Sequence, residues 1–322
     1  MSRDGQSSAT GQVELNTVHT PDRMHDLLTK SSRTFALNIP LLPEPARCEV
    51  TVAYLLFRVA DTLEDSTIWP RQRKVDELRR FATFLQEPAP RSADRLTADW
   101  QADPPCDDAG YLELLAELPL VMEVHSELAP DSQELIVEHT LRTIEGMSAF
   151  LERENGSDLQ LRDVKDLQDY CYAVAGIVGE MLTELFLKDD EALRPVAPIL
   201  RGLAARFGEA LQLVNILKDS TADSDEGRHF LPAGRSTTDV FSLARDDLGS
   251  AARYVICLAQ AGAARGVVAF TALPLLLAKA TIDRVQQDGP GSKITRIEVA
   301  EIIEELNQAL DEGSVPTLFE RF

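Results

Sequence analysis

The stretch Val50–Asp65, VTVAYLLFRVADTLED, decides the fold class. It is a strongly apolar run with helical period, and it ends in Asp61 and Asp65, which lie one turn apart on one face of a helix. Phe207–Asp223, FGEALQLVNILKDSTAD, repeats the arrangement with Asp219 and Asp223. Carboxylates at the end of a buried stripe repel each other and resist desolvation. Hard divalent cations relieve both problems, and Mg2+ is characteristically held by a few carboxylates together with substrate phosphates. Two such pairs facing one another would make a cage for a diphosphate.

A lone D-x-x-x-D is usually a solvated helix face, and a chain with 53 acidic residues contains such pairs by chance. The neighbouring residues set these two apart. Arg58 precedes Asp61 by three positions on the same face. Gln212, Asn215, Asp219 and Asp223 form one polar stripe on a helix whose Leu, Val and Ile residues also demand burial. Such a stripe is read as a cavity lining.

Outward from these motifs the whole chain has helical period. Helices are expected near 20–30, 44–65, 70–86, 110–127, 131–153, 160–187, 191–224, 237–262, 265–286 and 295–311. No alternating strand run, hairpin dipeptide or internal repeat is evident. Glu87–Gly110, rich in Pro and Asp, is expected to be a surface loop. Ser224–Thr238 is expected to be a loop placed as a flap over the second acidic pair. Residues 1–18 are expected to be a disordered tail, and 19–322 one all-α domain.

The net charge of −21 argues against a nucleic-acid partner, and equally against a basic membrane-binding patch. Cys48, Cys106, Cys171 and Cys257 have neither C-x-x-C spacing nor paired histidines, so they are read as small buried residues rather than zinc ligands. The polar N-terminus lacks the apolar core of a signal peptide. The longest apolar run, Gly266–Ala278, is too short to span a bilayer, so a cytoplasmic protein with no transmembrane segment is expected.

Four segments in order resemble the squalene/phytoene synthase family: SSRTFALNIPLLP (Ser31–Pro43), YLLFRVADTLED (Tyr54–Asp65), DYCYAVAGIVGEMLTELF (Asp169–Phe186) and LQLVNILKDSTADSDEGRHFLP (Leu211–Pro232). The likeness extends over roughly residues 20–285. It implies an isoprenoid-synthase-type helical bundle around a central cavity, acting on prenyl diphosphates. It further implies that Asp61, Asp65, Asp219 and Asp223, with Asn215, bind two or three Mg2+. Ser32, Arg33, Arg58, Gln212, Lys218 and Arg228 would contact the diphosphate, and Tyr170 would stand beside the reacting carbocation. Phe35, Phe57, Leu182, Leu213, Phe270 and Leu273 are candidate cavity walls. The small residues Ala173, Ala175, Gly176 and Gly179 would serve either close helix packing or room for a prenyl chain.

The chain departs from the family pattern in two places. Ala222 stands where Glu is frequent, and Lys218 where Arg is common. The C-terminal third is more apolar than in squalene synthases, and no Gly-x-Gly-x-x-Gly follows a strand, so NADPH use has no motif behind it. The family's C-terminal membrane anchor is not expected either. Three functions follow as alternatives: head-to-head coupling of two prenyl diphosphates, prenylation of an aromatic acceptor such as an indole or carbazole by a short allylic diphosphate, and a non-catalytic scaffold. Chain length and oligomeric state are not legible.

Overall fold

The computed structural model describes residues 20–32, 34–89, 91–153, 159–225, 227–232, 237–320 and 322. The N-terminal half, the first of two runs of helices, consists of α1 (Thr20–Ser31), the single turn α2 (Phe35–Asn38), α3 (Ala46–Glu64), α4 (Arg71–Gln86), α5 (Ser92–Ala102), α6 (Ala109–Ala116), α7 (Leu118–Glu127) and α8 (Pro130–Arg153). The second contains α9 (Val164–Cys171), α10 (Ile177–Asp189), α11 (Ala197–Asp225), α12 (Thr237–Ala261), α13 (Arg265–Asp288), α14 (Arg296–Glu312) and the short α15 (Val315–Leu318). A π-helical turn, Tyr172–Gly176, joins α9 to α10.

Helix α3 is buried nearly all round: Val52, Ala53, Leu55, Leu56, Val59, Ala60 and Leu63 have no accessible surface. That is the behaviour of a core helix rather than a one-faced surface helix. It packs on α4, α8 and α10, while α11 is the central strut against α10, α12 and α13. The two helices that carry the acidic pairs are therefore the two most enclosed by neighbours, and their C-terminal turns emerge at the same end of the bundle.

The small residues resolve into close packing. A Cβ on Gly179 would stand 2.1 Å from the Ala204 carbonyl oxygen, and one on Gly208 would stand 1.9 Å from that of Ala175. Backbone meets backbone where α10 and the π-helical turn before it cross α11, and only glycine permits that approach. Gly179 and Gly208 also line the cavity described below.

Three expectations need correction. Part of the supposed surface loop at 87–110 is helix α5, whose Leu96 and Trp100 are buried one turn apart, with the Trp100 indole N–H donating to Glu77 Oε2 at 3.0 Å. The helix expected over 110–127 is two helices, divided at Glu117 just before Pro119. A minimal strand pair also exists. Leu159–Gln160 lies parallel to Arg228–His229, and the Leu161 N–H donates to the His229 carbonyl at 3.2 Å. Two-residue strands have no alternation to detect. The supposed 1–18 tail lies outside the described residues.

By length and mean hydropathy Val164–Asp189 and Arg265–Asp288 could each cross a membrane, but 61% of each apolar window is buried inside the bundle. Cys171 is buried and the other three cysteines are half-buried, all four as free thiols.

Candidate active site

Two connected spaces open at the end of the bundle where α3 and α11 emerge. The outer is a polar cleft of about 660 Å³, walled by Asp61, Glu64 and Asp65 from α3, and by Gln212, Asn215, Lys218, Asp219 and Asp223 from α11. Ser31 and Ser32 form one rim, and Tyr170, Arg228 and Phe230 form another. The inner is an apolar chamber of about 210 Å³ enclosed by α2, α3, α10, α11 and α13. Arg58, Asp61, Val174, Gln212 and Asn215 line both. A single row of side chains thus separates a carboxylate-rich mouth from a greasy interior.

On the first wall, the Arg58 guanidinium lies 3.3 Å from Asp61 Oδ2 and donates to the Tyr54 hydroxyl at 3.0 Å. Burial works against the Arg58 charge, but Asp61 and Tyr54 more than offset it, so its pKa rises. Asp61 reaches cleft space rather than bulk water. Loss of solvation, helped by Asp65 and opposed by Arg58, lifts its pKa to about 6. Glu64 is pushed up further by burial and by Asp65, with Lys74 pulling the other way.

On the second wall, Lys218 Nζ lies 3.1 Å from Asp219 Oδ2. Asp223 is raised by burial against the pull of Arg228. Arg228 ties the walls together. One guanidinium nitrogen is 2.5 Å from Asp65 Oδ1 and the other is 3.0 Å from Asp223 Oδ1. The strand pairing of Arg228–His229 with Leu159–Gln160 fixes the backbone from which this side chain reaches. Beside it, Phe230 packs on the Tyr170 ring at 4.9 Å, and Phe150 meets that ring edge-on at 5.2 Å. Tyr170 itself is buried, and burial, with Glu64, Asp65 and Asp61 nearby, raises its pKa and keeps the phenol neutral.

The structure brings together nearly all the residues expected from sequence. Asp61, Asp65, Asp219, Asp223, Asn215, Gln212, Arg58, Lys218, Arg228, Tyr170 and Ser32 all line the cleft. Ser32 also does the bland thing, accepting the Phe35 N–H at 3.1 Å. Arg33 lies outside the described residues. Of the expected chamber walls, Phe35, Phe57, Leu182 and Phe270 line it, whereas Leu213 and Leu273 are ordinary core, with Leu211 and Pro274 on the lining instead. Lys30, Glu64, Asp108, Tyr111, Met147 and Phe230 line the cleft and were not anticipated. Glu64, lying inside the first motif, was the most findable of these.

Among the described residues, no three carboxylate, imidazole or thiol groups stand close enough to enclose an ion by themselves. Mg2+ does not require that: it keeps waters and takes one or two carboxylates plus substrate phosphates. Carboxylate and amide oxygen donors on two facing walls, joined by a guanidinium, fit such ions in company with a diphosphate.

An all-α bundle with facing acidic helices over an apolar chamber defines the class as isoprenoid-synthase-type. Residues 28–299 match the sequence profile of the squalene/phytoene synthases, and the chain belongs to that family. It is 31% identical over 203 residues to Botryococcus squalene synthase of Botryococcus braunii, which covers 63% of this chain and 40% of that protein. It is 33% identical over 208 residues to squalene synthase ERG9 of Saccharomyces cerevisiae, covering 64% and 44%. The matched region is thus less than half the length of these relatives. A ligand complex of TcSQS superimposes with a TM-score of 0.72 at 25% identity, covering 94% of this chain and 91% of that one. Squalene synthase HpnC from Alicyclobacillus acidocaldarius shares the fold, with a TM-score of 0.53 at 18% identity.

Proposed function

We propose that this chain is a prenyltransferase that ionises an allylic prenyl diphosphate and couples the resulting cation head-to-head to a second prenyl diphosphate. The observation that carries the reading is the shared row Arg58, Asp61, Val174, Gln212 and Asn215 between polar cleft and apolar chamber. A diphosphate head and a hydrocarbon tail would meet there.

Asp61, Asp65, Asp219 and Asp223, with Asn215, would hold divalent ions, Mg2+ by donor chemistry. Bound there, such ions would neutralise the charge that develops on the leaving pyrophosphate. Arg58, Lys218 and Arg228 would donate to phosphate oxygens, with Ser32 and Gln212 as neutral donors. As the allylic C–O bond breaks, its electron pair leaves with pyrophosphate and the positive charge remains on carbon. The neutral Tyr170 ring, held by Phe150 and Phe230, offers a π face to that charge without a nucleophilic phenolate. The chamber lining keeps water away from the cation. The 2,3-double bond of the second prenyl diphosphate then supplies the electrons for the new C–C bond, and the positive charge this leaves on the acceptor is discharged by loss of a proton as the cyclopropyl diphosphate closes.

A second reading draws on the composition of the cleft. Its lining is mainly polar, and Tyr111, Tyr170 and Phe230 supply its rings. That suits a flat aromatic acceptor better than a second long tail. Incubation with C5, C10, C15 and C20 allylic diphosphates and Mg2+, with and without NADPH or an indole, followed by product mass analysis, distinguishes these outcomes. Pyrophosphate release from two prenyl diphosphates supports the first, and release only with the aromatic compound supports the second. No release under any condition would leave a scaffold as the surviving alternative.

A further inference from the structure

Arg58 is gripped from two sides, and one side comes from outside the acidic helices. Its Cζ lies 5.5 Å from the centroid of the Tyr54 ring, one turn earlier on α3, and 5.6 Å from that of Tyr111 on α6. Both distances fall within cation–π range. Helix α6 is itself held hard against α1. Arg23 pairs with Glu113 at 2.7 Å and with Glu117 at 2.6 Å, and Lys30 pairs with Glu113 at 2.9 Å. A Cβ on Gly110 would come within 2.8 Å of the Lys30 carbonyl oxygen, so the two backbones nearly touch next to Tyr111. Asp108 caps α6 by accepting the Gly110 and Tyr111 N–H groups at 2.9 and 3.0 Å. The Tyr111 ring is therefore presented at the cleft rim from a braced support.

An arginine side chain carries considerable rotamer freedom, and a diphosphate is recognised well only by a guanidinium already aimed at it. Tyr54 and Asp61 lie on the same helix as Arg58 and constrain it along that helix. Tyr111 bears on it from α6, outside both acidic helices. From this juxtaposition we infer that Tyr111 is a positioning residue: its ring fixes the Arg58 guanidinium for the diphosphate of the substrate. The inference rests on the diphosphate-binding role given to Arg58 above.

The test measures binding of inorganic pyrophosphate in the presence of Mg2+ by titration calorimetry, independently of turnover. Tyr111→Leu is expected to weaken pyrophosphate binding roughly five- to tenfold, and Tyr111→Phe to stay within twofold of wild type, because the ring and not the hydroxyl carries the contact. In an Arg58→Ala background, Tyr111→Leu should have no further effect. Equal losses in both backgrounds would mean that Tyr111 acts independently of Arg58 and would overturn the inference, as would unchanged binding in folded Tyr111→Leu. If Tyr111→Leu fails to fold, the Phe variant with the Arg58 pairing still decides: a loss with Phe equal to that with Arg58→Ala refutes a ring contact. Failure of the wild-type protein to bind pyrophosphate would instead sink the prenyltransferase reading itself.

Discussion

The two acidic helix ends look alike in sequence and are built differently. The first keeps more of its side chains inside the protein: after Asp61, Glu64, Ser66 and Trp69 are buried, while Asp65, Thr67 and Ile68 are exposed. The second runs out into solvent, with Thr221, Ala222, Ser224 and Asp225 exposed. Asp61 is held by Arg58, which is itself held by two tyrosines, whereas Asp219 pairs with the adjacent Lys218 among the described residues. On these contacts we expect the first wall to behave as the more rigid template and the second as the more adaptable arm, with Arg228 joining the two. Preorganised charges contribute most to stabilising a leaving group, because they need no reorganisation as the bond breaks. The first wall should therefore dominate the chemistry, and the second should dominate capture.

That contrast is most exposed to Asp61→Asn against Asp219→Asn. We expect kcat/KM to fall by on the order of 10³ for Asp61→Asn and by about 10² for Asp219→Asn, with the helical circular dichroism retained in both. Their stabilities should diverge. Asp61 is a desolvated carboxylate with its pKa raised to about 6, so replacing it with a neutral amide removes an unfavourable burial. Relief of about 1 kcal/mol corresponds to a Tm increase of about 2–4 °C. Asp219→Asn should leave Tm unchanged. A larger activity loss at Asp219, or a lower Tm for Asp61→Asn, would reverse the assignment of rigid and adaptable walls.

Arg228 is the link between the walls, so Arg228→Lys is the next largest effect. An ammonium is a point charge and cannot span Asp65 and Asp223 in the two-pronged manner of a guanidinium. KM for the allylic diphosphate should rise roughly tenfold, with kcat changed less. Tyr170→Leu, which removes the π face, tests the opposite division of labour. Tyr170 lies on the chemical side, packed between Phe150 and Phe230, so kcat should fall by roughly tenfold with KM within twofold. A pure affinity loss would overturn the place proposed for Tyr170 beside the cation.

Much of this was legible before any coordinates. Apolar helical runs ending in paired aspartates specified both walls, because helical period alone fixes which side chains share a face. Period does not say which part of a wide apolar arc faces a cavity, which is why Leu213 and Leu273 turned out to be core while Leu211 and Pro274 line the chamber. Helix α5 was hidden by its Pro- and Asp-rich surroundings, although Leu96 and Trp100 at one-turn spacing carried its signal. Tyr111 and the strand pairing at Arg228 were out of reach for another reason. Both are contacts between segments distant in sequence, set by tertiary packing that no local pattern encodes.

The smallest effect gives the sharpest view of the contrast, because it compares the same motif position on the two walls. Glu64 stands before the last aspartate of the first motif, and Ala222 stands before the last aspartate of the second. Glu64 is buried, close to Lys74 and under the influence of Asp65. Truncating it to Ala removes a carboxylate whose burial is unfavourable while Asp65 still faces Lys74, so stability should change by less than about 1 kcal/mol, measured by urea unfolding. Ala222→Glu makes the reciprocal change on the other wall. Position 222 is exposed on the last turns of α11, so an added carboxylate there remains solvated and screened. Stability should stay within about 0.5 kcal/mol, and pyrophosphate affinity with Mg2+ within about twofold. A large gain in affinity from Ala222→Glu would show that the second wall closes inward far enough to use that carboxylate, and the two walls would then be near equals in binding.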